Sequence, residues 1–265
     1  MDVAAWFVAG LAVGAVVAWV ARGIASRRRA DRASRTDGSD GAAIRSELVS
    51  KIGHELKNPI MAIKGLASTG SRLYDSLSDD ERRDLFRTID AEAGRLRAIG
   101  DETSTAMKID AGQLRYDLRE EDVGALVEQV AWRASVGDHP MAVEAAPGLT
   151  ARVDRTRLAE AIGHLIDNAA KFSPPGTPIS VTARADGSDV VIDVVDAGPG
   201  IPPDRREAVF ERYGAWRPPG YEDTPGAGLG LFIARAHVLA HRGRMEIEGF
   251  PEGGTMLRVR VPVGG

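Results

Sequence analysis

Hydrophobic and polar positions divide the chain into four regimes. Val3 to Ala21 is an uncharged run of Ala, Val, Leu, Gly, Trp and Phe. As a helix rising 1.5 Å per residue it is about 28 Å long, enough to span a bilayer. Trp6 and Trp19 lie near its ends as interfacial anchors, and Arg22, Arg27, Arg28, Arg29, Arg32 and Arg35 follow against Asp31 alone, which predicts a cytoplasmic side after the run. Only Met1 and Asp2 precede it, without the basic residue of a cleaved signal peptide. Residues 23–41 lack apolar periodicity and read as a basic juxtamembrane linker. From Ala42 to about Tyr74, Ile44, Leu48, Ile52, Leu56, Ile63, Leu66 and Leu73 recur at helical spacing and predict one long amphipathic helix. Pro59 cannot donate to the Glu55 carbonyl and is expected to bend it just after His54. Ser78-Asp79-Asp80-Glu81 has the form of a capping box, opening a second helix through Leu85, Ile89, Leu96 and Ile99 toward Ile109. Its stretch Gly100 to Thr105 offers few core-forming side chains and is expected to be the least stable part. A lone hairpin buries too little surface, so residues 42–112 are expected to pair with a second copy as a dimeric four-helix bundle.

After Asp110-Ala111-Gly112 the pattern alternates. Helices are predicted at Asp122 to Ser135, Arg155 to Phe172 with Asp154 as N-cap, and Leu229 to Ala240. Strands are predicted at Met141 to Ala145, Ile179 to Ala185, Val190 to Val195, Arg244 to Glu248 and Met256 to Val261. Residues 113–265 therefore read as an α+β sandwich with helices on one face of a mixed sheet, behind residues 1–22 as a transmembrane anchor. Composition narrows the classes. With 43% hydrophobic and 27% charged residues in 265, wholesale disorder and a polytopic membrane protein are disfavoured. A net charge of -4 argues against direct nucleic-acid binding, and the absence of cysteine removes disulfides, thiol nucleophiles and cysteine zinc sites.

Four constellations carry chemistry. In His54-Glu55-Leu56-Lys57-Asn58-Pro59, His54 lies about 200° around the helix from Ile52 and Leu56, away from the apolar stripe. A neutral imidazole there can act as a nucleophile, with Glu55 placed to orient it or take its proton. In Asp167-Asn168-Ala169-Ala170-Lys171-Phe172, the Asn168 amide suits a hard cation such as Mg²⁺, and Lys171 suits phosphate. In Asp196-Ala197-Gly198-Pro199-Gly200-Ile201, glycines permit close backbone approach and the Asp196 carboxylate can accept from an exocyclic amine of adenine. Gly226-Ala227-Gly228-Leu229-Gly230-Leu231 opens a helix whose free N–H groups suit a polyphosphate. Neither glycine run has dinucleotide-fold spacing, and no Gly-Lys-Ser/Thr of a P-loop occurs. Each alone also fits a solvated helix end or an ordinary turn.

In this order and spacing the four resemble the boxes of sensor histidine kinases of two-component systems, over about Ala42 to Pro262. HELKNP matches the H-box, HLIDNAAKFSP the N-box, DAGPGI and GAGLGL the glycine boxes, and Phe210-Glu211-Arg212-Tyr213 the phenylalanine box. The resemblance implies a HisKA-type dimerisation and phosphoacceptor hairpin and a GHKL-type ATP-binding domain with a Bergerat fold. By position, His54 is implied as the phosphorylated residue, Glu55 as its acid/base partner and Asn58 as the amide that positions water for dephosphorylating a partner. Asn168 is implied to hold Mg²⁺, Lys171 the phosphates and Asp196 the adenine amine, with Gly198, Gly200, Gly226, Gly228, Leu229 and Gly230 around the nucleotide and residues 212–228 as a lid. ATP and Mg²⁺ are the implied cofactors, and a response regulator and a second copy the implied partners. The expected location is the inner or plasma membrane, single-pass, with cytoplasmic kinase domains. One departure stands out: His164 occupies a position where the N-box usually has another asparagine. It and the leucine-poor stretch motivate an alternative, a nucleotide-binding scaffold that has lost kinase activity and docks a partner kinase. No room is expected for an extracytoplasmic sensor.

Overall fold

The computed structural model describes residues 40–213, 216–222, 224–250 and 253–264, with side chains from Ile52 onward other than that of His54. The apolar run Val3 to Ala21 and most of the linker lie outside the described residues. No helix among the described residues is long and apolar enough to cross a membrane. The chain divides into two compact units, Met1–Asn58 and Pro59–Gly265.

Helix α1 spans Asp40–Leu73 and stays helical through Pro59. Helix α2 spans Asp79–Asp110, and its start carries both halves of the expected capping box. Ser78 accepts from the Glu81 N–H at 3.3 Å, and Glu81 accepts from the Ser78 N–H at 2.8 Å. The turn between them is closed by Arg82, whose Nε donates to the Tyr74 carbonyl at 3.0 Å while its guanidinium lies over the Tyr74 ring. Gly70 has a packing reason: a β-carbon there would come within 3.1 Å of Leu85. Ile60, Met61, Leu73, Tyr74 and Phe86 keep large apolar surfaces exposed in the single chain.

The remaining residues form a five-stranded mixed sheet of order β2-β4-β5-β7-β6, from β2 (Met141–Ala145), β4 (Ile179–Asp186), β5 (Asp189–Asp196), β6 (Arg244–Gly249) and β7 (Thr255–Pro262). Strand β2 pairs parallel with β4, and the other pairs are antiparallel. Register follows the two-residue period. Val181↔Val194, Ala183↔Ile192, Ile192↔Val259 and Val190↔Val261 put small and branched apolar residues on one face. The alternate pair Asp193↔Arg258 falls on the other, where Arg258 Nε donates to Asp193 at 2.6 Å. Helices α3 (Val123–Arg133), α4 (Arg155–Phe172) and α5 (Gly230–Ala240) contribute Leu126, Val127, Leu158, Ile162, Leu165, Ile166, Ala234 and Val238 to the apolar core.

The sequence predicted neither strand β1 (Arg119–Asp122) nor strand β3 (Thr150–Val153), which pair antiparallel as a separate two-stranded sheet. Arg119-Glu120-Glu121-Asp122 has no apolar alternation, so its pairing comes from context. The preceding residues are fastened to the domain: Tyr116 Oη lies 2.9 Å from His237 Nδ1, and the Asp117 N–H donates to Asp154 at 3.0 Å. His237 is fully buried, and its Nε2 lies 3.1 Å from Glu160. Burial pushes the Glu160 carboxyl up, but the His237 and Arg157 hydrogen bonds outweigh this and hold it at about 2. Asp154 also caps α4 by accepting from the Thr156 and Arg157 N–H groups at 3.0 and 3.1 Å. Replacing Asp154 with Ala removes the cap and the Asp117 tether together and is expected to cost about 2 kcal/mol. A shift in urea midpoint at unchanged slope measures it; an unshifted midpoint refutes the double role.

Candidate functional site

Helix α4 turns its apolar residues to the core and carries Glu160, His164, Asp167, Asn168 and Lys171 on the adjoining face, at spacings of three and four residues. Glu160 meets His237, and the His164 ring packs beneath Gly230, so α5 runs antiparallel along that face and its first turn ends over the C-terminal half of α4. A cleft opens where they meet the end of β5. Seven of the sequence-predicted residues line it: Asn168, Lys171, Asp196, Gly200, Gly226, Gly228 and Gly230. The other two glycine-box residues lie behind the wall. Gly198 donates its N–H to Asp196 Oδ1 at 2.7 Å, and Leu229 is fully buried with Ala106, Ala227 and Ile233. His54, Glu55 and Asn58 lie in the other unit, on α1; the expected outward orientation of His54 concerns a side chain outside the described ones.

The first glycine box needs glycine on steric grounds, since a β-carbon at Gly198 would stand 2.7 Å from the Phe172 carbonyl oxygen. That contact ties the end of α4 to the loop after β5. Asp196 is only 6% exposed, and burial raises its carboxyl to about 6 although the Gly198 and Thr255 N–H groups oppose the shift. Lys171 is ion-paired with Asp167 one turn back, and its Nζ lies 3.7 Å from where a side chain on Gly226 would begin. The N-termini of α2, α3 and α4 are capped by Ser78, Asp122 and Asp154, whereas α5 has no side-chain cap among the described residues. Its first N–H groups at the cleft are thus left to a ligand or water.

His164 is 13% exposed, and burial lowers its pKa, so it is neutral near pH 7. Its Nδ1 lies 3.9 Å from Glu102 on α2, and its buried Nε2 has no hydrogen-bond partner among the described residues. Sequence reasoning missed Glu102 and Phe172 as cleft residues, whereas Trp216 and Arg217, which also line it, fall within the expected lid at 212–228. Phe172 ended a motif already in view, but Glu102 lies more than sixty residues before the N-box and carries no local signal. Among the described residues no group of three or more His, Asp or Glu is placed to hold a metal. A cation at Asn168 must therefore draw ligands from substrate and water, as Mg²⁺ does. The half-buried amide, the lysine and the uncapped helix fit a magnesium-bound polyphosphate.

Residues 44–112 match the His Kinase A (phospho-acceptor) domain, and residues 153–265 match the histidine kinase-, DNA gyrase B- and HSP90-like ATPase family, together about two thirds of the chain. The chain belongs to the sensor histidine kinases. Among curated relatives, this histidine kinase is 30% identical over 225 residues to the sensor-like histidine kinase SenX3 of Mycobacterium tuberculosis, covering 83% of the chain and 54% of the relative. It is 33% identical over 228 residues to the histidine-protein kinase/phosphatase MprB of Mycobacterium leprae, covering 82% and 43%. The sensor protein KdpD of Clostridium acetobutylicum is 28% identical over 222 residues, covering 83% and 25%. The chain spans about half or less of the length of these relatives. Of solved structures, Acinetobacter baumannii histidine kinase AdeS shares the fold, with a TM-score of 0.59 at 20% identity over 79% of this chain and 98% of that one. ShkA, solved in complex with AMPPNP, gives 0.56 at 26% identity over 82% and 45%.

The raised Asp196 carboxyl has a consequence for stability. The folded domain binds its proton between about pH 4 and 6 and the unfolded chain does not, so this group makes the domain less stable as pH rises through that window, by roughly 3 kcal/mol in full. Asp196→Asn is expected to gain stability over wild type progressively from pH 4 to 7. Thermal unfolding across that range reads the difference, and a pH-independent difference refutes the assignment.

Proposed function

We propose that this histidine kinase binds Mg-ATP in the cleft, phosphorylates its own His54 and passes the phosphoryl group to an aspartate of a response regulator. The observation that carries the reading is that the uncapped N-terminus of α5, Lys171, Asn168 and the buried Asp196 carboxylate line one cleft. That layout suits a molecule with a polyphosphate at one end and an amine-bearing base at the other. The AMPPNP held by ShkA supports the same occupant.

In this reading the N–H groups of the first α5 turn and Lys171 hold the phosphates, and the ionised Asp196 accepts from the adenine amine. Mg²⁺, held by Asn168, would neutralise phosphate charge and keep the γ-phosphoryl in line. The His54 imidazole attacks the γ-phosphorus; an N–P bond forms, the bond to the β–γ bridging oxygen breaks, and Glu55 takes the imidazole proton. Asn58 positions water when the partner aspartate is dephosphorylated, so the protein sets a balance between two opposing reactions. The division is a transmembrane anchor at 1–22, a linker at 23–41, a hairpin at 42–112 and an ATP domain at 113–265, anchored once in the inner or plasma membrane with the kinase domains cytoplasmic. The exposed Ile60, Met61, Leu73, Tyr74 and Phe86 support pairing of the hairpin with a second copy.

Full-length protein in lipid, incubated with Mg²⁺ and γ-labelled ATP, is expected to acquire label that survives alkali and is lost in acid, and His54→Gln is expected to acquire none. Label retained by the variant removes His54 from the mechanism. Asn168→Ala is expected to weaken Mg-ATP at least about tenfold, or 1.4 kcal/mol, by calorimetry with circular dichroism unchanged. Unaltered affinity refutes the metal role.

A further inference from the structure

Four residues on one face of α2, at spacings of four, three and one, meet the ATP domain. The Glu102 carboxylate lies 3.9 Å from His164 Nδ1, near the ring but beyond hydrogen-bond distance, Ala106 and Ile109 pack with Ala227, Leu229 and Ile233, and Asp110 pairs with Arg212 at 2.7 Å. The last three hold the helix against the second glycine box. Glu102 differs from them because it lines the cleft itself, as does the His164 ring it faces. A β-carbon on Gly230 would stand 3.1 Å from His164 Nδ1 and 3.4 Å from Cγ, so the ring is the floor on which the first residue of α5 rests. Gly230 is also where the uncapped N-terminus begins.

We propose that His164 is a positioning residue that couples the second hairpin helix to the phosphate end of the cleft, with Glu102 setting the imidazole and the imidazole setting Gly230. Docking of α2 thereby shapes the nucleotide site, and nucleotide binding in turn favours the docked helix, because a coupling free energy acts equally in both directions. The inference rests on the cleft being the ATP site. An asparagine at 164 reaches less far than an imidazole and leaves both Glu102 and Gly230 without this contact. Among the described residues the buried Nε2 has no hydrogen-bond partner, and Nδ1 stands beyond hydrogen-bond distance of Glu102, so the ring is held by packing and follows the helix.

The test is a double-mutant cycle on Mg-ATP affinity, by calorimetry of full-length protein in lipid nanodiscs. Glu102→Gln and His164→Ala are each expected to weaken ATP about fivefold, and the double variant by no more than the worse single, because the two act in series. Gly230→Ala is expected to weaken ATP at least about tenfold by pressing a methyl onto the ring, and adding His164→Ala to bring the affinity back to that of His164→Ala alone. Independent effects, multiplying to about 25-fold in the first cycle, overturn the coupling. So does a His164→Ala loss that changes size when Mn²⁺ replaces Mg²⁺, which would make His164 a metal ligand. Hydrogen exchange gives a second readout: Glu102→Gln is expected to speed exchange of the 230–234 amides, and unchanged exchange also overturns the proposal. Failure of the wild type to bind ATP refutes the proposed function instead.

Discussion

Helix α4 has to satisfy two neighbours with one rotation about its axis. Leu158, Ala161, Ile162, Leu165, Ile166 and Ala169 are all at most 1% exposed against the sheet, and Glu160, His164, Asn168 and Lys171 follow on the adjoining face. Burying a leucine or isoleucine contributes about 1.5–3 kcal/mol, against about 1 kcal/mol for a typical hydrogen bond. The apolar stripe therefore fixes the rotation, and the polar stripe is delivered to the cleft as its consequence. The Glu160 to His237 contact and the seat of Gly230 on His164 then set where α5 can lie. Because α5 begins at that seat, the position of its free N–H groups is decided by the packing of α4.

Two buried carboxyls and one half-buried one show how the same domain separates structural from chemical acids. Asp193 is held by Arg258 and Arg184 across the polar face of the sheet, and Glu160 by His237 and Arg157. Both have a cationic or hydrogen-bonding partner of their own. Asp196 has backbone N–H groups, and these do not offset its burial, so its carboxyl is raised. An acid held at a cost in an otherwise well-paired fold is the arrangement expected where an incoming donor supplies the missing interaction.

The helices and the five-stranded sheet were legible because each rests on one period that the side chains keep. The Ser78 box and the Asp154 cap were legible because their chemistry is local. Strand β1 was not, since Arg119 to Asp122 has no alternation and is placed by Tyr116 and Asp117, whose partners His237 and Asp154 lie far along the chain. The candidate site divides the same way. Asn168, Lys171, Asp196 and the glycines sit in short motifs whose spacing already puts them at helix ends and strand ends. The proximity of Glu102 to His164 depends on how α2 lies against the ATP domain, and no local pattern encodes that. Even within motifs, sequence position overstated contact: Gly198 and Leu229 belong to the boxes but serve the wall, one by letting Phe172 approach and the other by filling the core.

The leucine-poor end of α2 takes on a different meaning in the fold. Read along the hairpin alone, Gly100 to Thr105 lacks the large side chains that a bundle core wants. In the structure the buried residues of α2 are Ile99, Thr103 and Ala106, and Thr103 satisfies its hydroxyl within the helix by donating to the Ile99 carbonyl at 2.7 Å. Ala106 belongs to the cluster under the second glycine box, with Glu102 and Asp110 on either side of it reaching the ATP domain. Small side chains bring two backbones close, and close approach is what lets a residue as short as glutamate come within 3.9 Å of a ring at the cleft floor. A leucine at 106 would strengthen a bundle core but would lift α2 off the glycine box. The composition of this stretch is therefore that of a helix end shared between two neighbours, where small size matters more than apolar mass.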